Sequence, residues 1–199
     1  MTHDDAADGW VNIDVHGGTP QTVGRSHDDG AVAFGRKEYR FCPLCGTKLE
    51  PHAEHNEIRP TCPACGFIVY YNPVPAVGGV ILDGDQILLV RRAFEPKAEQ
   101  WSLPSGFMEY GERQIDALAR EVMEETGLEV ALSFYKYCDE IITQYGIHAV
   151  VIVFEGLAAG KTTAQPGEVE EIRWFLPAEI KSLPMAFLHH DILNAYLEK

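Results

Sequence analysis

Downstream of Val77 the chain alternates short apolar runs with polar breaks, the pattern of a strand-rich domain. VGGVIL (77–82) and ILLVRRA (87–93) flank Asp83-Gly84-Asp85-Gln86, residue types that favour a tight reversal, so the pair predicts a β-hairpin. Residues 95–112 carry prolines, glycines and charges and read as a loop. Ile115, Leu118, Ala119 and Val122 then recur at i, i+3, i+4 and i+7, which predicts a helix over Arg113–Thr126 with one buried face and Gly127 as its stop. EVALSFYKYCDEI (129–141) and HAVVIVFEGLA (148–158) predict two more strands. PGEVEEIRWFLPAEI (166–180) reads as a loop, a strand and a turn, and Phe187 to Leu197 as a closing helix. Strands mixed with at least two helices place the domain, residues 73–199, in the α/β class.

The first part of the chain lacks this periodicity. Residues 1–37 are rich in Asp, Gly, His and Thr and are expected to form a mobile tail, with His3, His16 and His27 solvated. Residues 38–72 form a separate short unit, and the prolines of YNPVPAV (71–77) mark a connector.

Composition narrows the function classes. The chain has 199 residues, 46% of them hydrophobic, which suits one domain plus a small appendage. No apolar run approaches the ~18 residues of a membrane span, and the N-terminus lacks a basic and apolar leader, so no membrane partner and a cytoplasmic location are expected. The net charge of −14 argues against nucleic acid as a partner, because such binding rests on Lys and Arg. Small phosphorylated ligands stay open, since a divalent cation can stand between carboxylates and phosphates.

Two clusters carry the candidate chemistry. The first is Cys42-Pro-Leu-Cys45-Gly46 and Cys62-Pro-Ala-Cys65-Gly66. Two C-x2-C pairs at this separation fit a four-thiolate Zn²⁺ site, structural because the protein fills every position. In a unit this short the metal should supply much of the folding free energy; a redox dithiol pair is the alternative reading. Cys138 stands alone and reads as a small core residue, with a nucleophile as the alternative. The second cluster is Glu121, Glu124 and Glu125, one helical turn of carboxylates near a helix C-terminus. Each like-charge pair costs roughly 0.2–0.5 kcal/mol, and the helix dipole disfavours them further. One reading is a solvated acidic face with Arg120 paired to Glu124. The other is a hard-cation site for Mg²⁺ or Mn²⁺, favoured by the glycine-bearing loop SLPSGFMEYGE (102–112) that leads into the helix.

Gly106, Glu112, Arg120, Glu121, Val122, Glu124, Glu125, Gly127 and Leu128 match every fixed position of G-x5-E-x7-R-E-U-x-E-E-x-G-U, where U is a bulky aliphatic residue. In this the chain resembles the Nudix hydrolases, and it is similar to the branch with a zinc ribbon ahead of the signature. The resemblance covers about Val74 to Lys199. It implies an α/β/α sandwich with a mixed sheet, preceded by a small zinc ribbon, and cleavage of a nucleoside diphosphate linked to another moiety. Glu121, Glu124 and Glu125 would bind the catalytic Mg²⁺ or Mn²⁺, with the Gly106 carbonyl as a further ligand. Glu112 and Arg120 would orient them. One of the glutamates or a later loop carboxylate would activate water.

Glu168 is the candidate loop carboxylate, as base or ligand. Arg91 and Arg92 end a strand ahead of the loop; one of them, with Arg91 chosen, is a candidate for phosphate, and surface charge for both is the alternative. Trp101, Phe107 and Tyr110 are candidates to stack on a base, with core packing expected for at least one. The SQPWPFPxS motif of NADH pyrophosphatases is missing after the signature, so ADP-ribose is the first-choice substrate and other ADP-X compounds, FAD and NADH, follow. Sanitation of oxidised nucleoside triphosphates is the rival within enzymes. A nucleotide-binding regulatory protein that docks a partner through its ribbon is the rival from another class. Family habit suggests a homodimer.

Overall fold

A computed structural model describes residues 39–142 and 147–198. The expected tail, including His3, His16 and His27, lies outside the described residues.

In the short unit, strands β1 (Glu50–Glu54) and β2 (Glu57–Thr61) form an antiparallel hairpin between the two cysteine pairs. Neither strand has a buried residue, and the polar sequence did not signal the hairpin. The domain follows with β3 (Val74–Asp83), β4 (Gln86–Arg92), β5 (Trp101–Ser102), β6 (Ser105–Phe107), helix α1 (Gln114–Thr126), β7 (Glu129–Ile142), β8 (Ile147–Ala159), β9 (Val169–Phe175) and helices α2 (Pro177–Ile180) and α3 (His189–Leu197). β3 starts three residues before Val77 and includes Pro75, whose carbonyl accepts the Met108 N–H at 3.2 Å.

The seven-stranded sheet is mixed. β3 runs parallel to β8 from Val74 to Leu82, and β7 pairs antiparallel with β8. The β3/β4 hairpin holds only at its turn, where Leu82 faces Ile87 and Asp83 faces Gln86. Beyond that the strands splay. Their facing edges are taken by the segment read as a loop: β6 pairs with β3 at Ala76–Gly78, and β5 pairs with β4 at Val90–Arg91. β9 covers the other edge of β4. A two-strand wedge thus fills the gap in the middle of the sheet. Strands this short carry too little alternation to be seen in sequence.

Side-chain alternation divides the core into two layers. Val77, Ile81, Leu88, Ile152 and Phe154 point to the α1 face, where they meet Ala117, Leu118, Val122 and Leu128. Ala76, Val80, Leu89, Val151 and Val153 point to the other face and meet Ile180, Ile192 and Leu193 of α2 and α3. This is the α/β/α sandwich with a mixed sheet that the family resemblance implied. Each fully buried Leu or Val contributes about 1.5–3 kcal/mol by area, so truncating Leu118 to Ala costs about 2–5 kcal/mol. Two expectations for α1 are corrected: Ala119 is only half-buried, and Ile115 is on the surface. Ile115 is 37% exposed, and the buried stripe is Ala117, Leu118, Val122 and Thr126. Ile115 lies in the first turn, before the helix reaches the sheet. Gly127 ends α1 in the left-handed region (φ 73°), and its N–H bonds the Met123 carbonyl, the cap its lack of Cβ allows.

Candidate active site

The wedge and α1 together build one end of the sheet into a site. Leu118 and Val122 anchor the helix on the core. Glu121 and Glu125 flank them at i+3, so the same docking that buries the stripe turns these two carboxylates toward β6. Gly106 in β6 makes room. A Cβ placed on it would collide with the Glu121 carboxylate. Next to it, the Ser105 N–H donates to Glu125 Oε2 at 3.3 Å.

Arg120 ties the second rank together. Its guanidinium donates to both oxygens of Glu112 (2.9 and 3.1 Å), to Glu121 Oε1 (2.7 Å), to Glu124 Oε2 (3.0 Å) and to the Phe107 carbonyl (3.2 Å). The planar fork of Arg is what can span this set. Glu112 also accepts the Glu109 N–H at 3.0 Å. The Arg120 hydrogen bonds hold Glu112 below the usual carboxylate range, and those carboxylates keep Arg120 charged. The Arg120–Glu124 pair of the solvated-face reading is therefore present, but as one arm of a network that also fixes Glu112 and Glu121.

A cavity of about 410 Å³ opens beside this network, lined by Glu121, Glu125, Gly106, Phe107, Glu168 and Arg92 among others. Glu124 does not line it. It is 47% exposed and turned to Arg120. Among the described residues only the four cysteines bring three or more ligand atoms within 4.8 Å of one another, so the three glutamates do not converge in this arrangement. Arg91 lies elsewhere too. It forms ion pairs with Glu170 (3.4 Å) and Glu171 (3.2 Å) and is not among the cavity residues. The arginine in the cavity is its neighbour. Strand alternation sends Arg91 and Arg92 to opposite sides, and sequence alone did not say which side held the site. Arg92 Nε donates to the Pro96 carbonyl at 2.9 Å, and its guanidinium lies 4.7 Å from the Phe94 ring centre and 5.1 Å from that of Phe187. Of the aromatic candidates, Trp101 is core, edge-on to Phe175 at 4.8 Å. Phe107 lines the cavity, and Tyr110 is fully exposed.

Two cavity residues had no sequence signal, Phe187 and His189. The chain before α3 is bonded to the wedge: the Trp101 N–H donates to the Pro184 carbonyl (2.9 Å) and the Ala186 N–H to the Trp101 carbonyl (2.8 Å). This brings the next residues to the cavity. Phe187 sits at φ 53°, a backbone region costly for a bulky residue and held here by those bonds. His189 is buried, and its Nδ1 accepts the Leu103 N–H at 3.0 Å.

The electrostatics of the cavity are unbalanced. Burial, reinforced by Glu121, pushes Glu125 up to about 8, and burial also raises Glu121. Glu125 keeps part of its surface open to the cavity while protein crowds its other sides. Glu168 adds to both shifts; the Ser105 N–H and then Arg92 oppose the shift at Glu125, and Arg120 opposes that at Glu121. Carboxylate oxygens whose charge is disfavoured by burial and by each other suit a hard divalent cation. Glu121 and Glu125 would hold it.

The ribbon forms a second centre. The two knuckles share one backbone plan. The N–H groups of Cys42 and Cys62 each bond the carbonyl five residues on at 2.8 Å, and those of Gly46 and Gly66 bond back to Cys42 and Cys62 at 2.9 Å. Both glycines need positive φ, 73° and 77°. The sulfurs of Cys42 and Cys65, Cys45 and Cys62, and Cys45 and Cys65 stand 3.5–3.6 Å apart. A tetrahedron with metal–sulfur bonds of about 2.3 Å needs separations of roughly 3.8 Å, so the set fits Zn²⁺ and leaves no open position. Cys138 lies in β7.

The family model for the Nudix N-terminal zinc ribbon matches residues 40–71, and that for the NUDIX domain matches residues 72–196. The crystal structure of a NUDIX hydrolase from Nitrosomonas europaea superposes with a TM-score of 0.72 at 30% identity, covering 80% of this chain and 91% of that one. The NAD-capped RNA hydrolase NudC of Deinococcus radiodurans is 32% identical over 156 residues, 76% of this chain and 54% of that protein. NudC of Pseudomonas aeruginosa is 32% identical over 174 residues, 84% of this chain and 59% of that protein. The chain thus spans little more than half the length of these relatives. No described helix is long and apolar enough to cross a membrane. With its domain model, its signature and its sheet in agreement, the chain belongs to the Nudix hydrolase family, in the branch that carries a zinc ribbon.

Proposed function

We propose that this chain hydrolyses the diphosphate of an ADP-linked small molecule, giving AMP and the phosphorylated second moiety, with ADP-ribose as the preferred substrate. The observation that carries this reading is the pair Glu121 and Glu125 in a 410 Å³ cavity facing Arg92, within an intact signature. The volume lies in the range of small-molecule sites. When bound, Mg²⁺ or Mn²⁺ would neutralise the diphosphate and lower the pKa of water.

The chain supplies the rest. Arg120 holds Glu121 and Glu112 in place from behind, and the Ser105 N–H holds Glu125. Arg92, restrained at Nε by Pro96, keeps its terminal nitrogens for a phosphoryl oxygen, the role first assigned to Arg91. Glu168 at the rim accepts the proton of the attacking water. The 38–72 ribbon serves as a metal-stapled unit joined to the 73–199 catalytic domain.

A second reading is hydrolysis of NAD or of an NAD cap on RNA. It is favoured by the named activity of the relatives at 32% identity. It keeps the same cavity and breaks the same kind of diphosphate bond, but on capped RNA the adenylate stays on the RNA as a 5′-monophosphate end, which adds a nucleic-acid partner. The net charge of −14 weighs against that partner. Product analysis separates the readings. Purified protein with Mg²⁺ or Mn²⁺ is offered ADP-ribose, FAD, NADH, NAD-capped RNA and 8-oxo-dGTP. AMP from ADP-ribose at the highest kcat/KM supports the first choice. Faster decapping of RNA supports the second. Pyrophosphate from 8-oxo-dGTP alone, or bound nucleotide without turnover, would overturn both.

A further inference from the structure

His189 has a feature that the hydrolytic chemistry leaves unused. Its Nδ1 accepts the Leu103 backbone N–H at 3.0 Å. That bond requires Nδ1 to be unprotonated, so a neutral ring carries its proton on Nε2. Nε2 has no protein partner among the described residues, nor is it a sealed, unsatisfied atom, and the residue lines the cavity. The side chain is thus an unpartnered donor on a buried residue that lines the cavity.

The surroundings say what kind of acceptor fits. Val90, Ala149 and Val151 line the cavity along with Ser102, and the Phe187 ring stands 6.0 Å from the imidazole. Arg92 lines the same cavity, 5.1 Å from the Phe187 ring centre. It is electrostatically coupled both to Glu125 and to His189. Anionic phosphoryl oxygens are matched by Arg92 and by cations at Glu121 and Glu125. Burial, with Arg92 next, pushes His189 down to about 4, so it remains an uncharged donor at neutral pH. An uncharged donor beside an aromatic ring matches an uncharged acceptor on a flat ring.

We propose that His189 is a specificity-determining residue that donates from Nε2–H to a ring-nitrogen or carbonyl acceptor on the substrate's heteroaromatic base. The proposal rests on the nucleotide reading of the cavity. A buried donor left unpaired by an analogue lacking that acceptor discriminates strongly, because the group then loses water without gaining a partner.

The test is direct. Zinc-loaded protein labelled with ¹⁵N-histidine is titrated with AMP, with ribose 5-phosphate, and with 1-, 3- and 7-deaza-AMP, and the His189 ring signals are assigned by comparison with His189→Gln. The expected result is an Nε2–H tautomer across neutral pH whose Nε2–H signal shifts with AMP. It does not shift with ribose 5-phosphate, nor with the one deaza analogue that lacks the acceptor. In turnover, wild type loses about tenfold or more in kcat/KM on the corresponding deaza-ADP-ribose. His189→Leu treats analogue and parent alike, and His189→Gln, which keeps an amide donor, restores part of the discrimination. An Nδ1–H tautomer, an equal response to ribose 5-phosphate, or deaza analogues all equivalent to AMP would overturn the proposal. If ADP-ribose is still cleaved, the hydrolytic reading survives that failure. Absence of both turnover and any nucleotide response removes the two together.

Discussion

Glu125→Gln should stabilise the metal-free catalytic domain at alkaline pH. Burial holds Glu125 at about 8 in the folded chain, against ~4.3 when unfolded. Between those values the folded state binds a proton that the unfolded state has released, so stability is full below the unfolded value and falls as pH rises through the folded one. At about 1.4 kcal/mol per pH unit of difference, the whole window is worth about 5 kcal/mol, a large share of a typical domain's ~5–15 kcal/mol. His189 works in the opposite sense. Its folded value of about 4 lies below the unfolded ~6.5, so its contribution is present above the unfolded value and is lost as pH falls toward 4. The two partly cancel in mild acid.

A clean measurement therefore runs from about pH 7 to 9, where integration of the Glu125 titration alone leaves a loss of about 1.4 kcal/mol. The assay is urea denaturation of zinc-loaded protein desalted of Mg²⁺ and Mn²⁺, followed by Trp fluorescence. Wild type loses that amount across the window and Glu125→Gln does not, since Gln does not titrate and can still accept the Ser105 N–H. Added Mn²⁺ should restore the wild type and leave the variant unmoved. Equal pH slopes for the two proteins would refute the electrostatic picture of the site.

Three further outcomes are expected. Gly106→Ala pushes the Glu121 carboxylate aside and lowers kcat on the order of 100-fold, while Tm stays near wild type; unchanged kcat would contradict the cradle. Arg120→Lys cannot span Glu112, Glu121 and Glu124 together, so activity or Mn²⁺ affinity drops about 10–100-fold, which kinetics and isothermal titration would show. Cys65→Ser removes one of four thiolates; metal analysis should find the zinc lost, and hydrogen exchange should show β1 and β2 unprotected. Retained zinc with normal protection would contradict a four-thiolate site.

Much of this was legible in the sequence, for physical reasons that differ by element. α1 was bounded to within a residue because its apolar period is long and Gly127 is an unambiguous stop. The cysteine knuckles could be read because metal ligation demands local spacing. β5 and β6 were not, because two- and three-residue strands have no period of their own and exist only through the splayed edges of β3 and β4. Ile115 fits the helical stripe on paper but lies beyond the reach of the sheet. The choice between Arg91 and Arg92 depended on strand phase against the cavity, which turns on tertiary packing. His189 was invisible for a stronger reason: its position depends on hydrogen bonds between Trp101 and residues 184–186, a contact that no local pattern encodes.

The central claim is that the cavity carboxylates carry divalent-metal-dependent cleavage of a diphosphate. Its most direct test is kcat for Glu125→Gln on the best substrate, with zinc content and circular dichroism checked beside it. The account predicts a fall of at least about 1,000-fold, a ΔΔG‡ of roughly 4 kcal/mol, from a folded, zinc-loaded variant. A folded Glu125→Gln protein with wild-type turnover would contradict it.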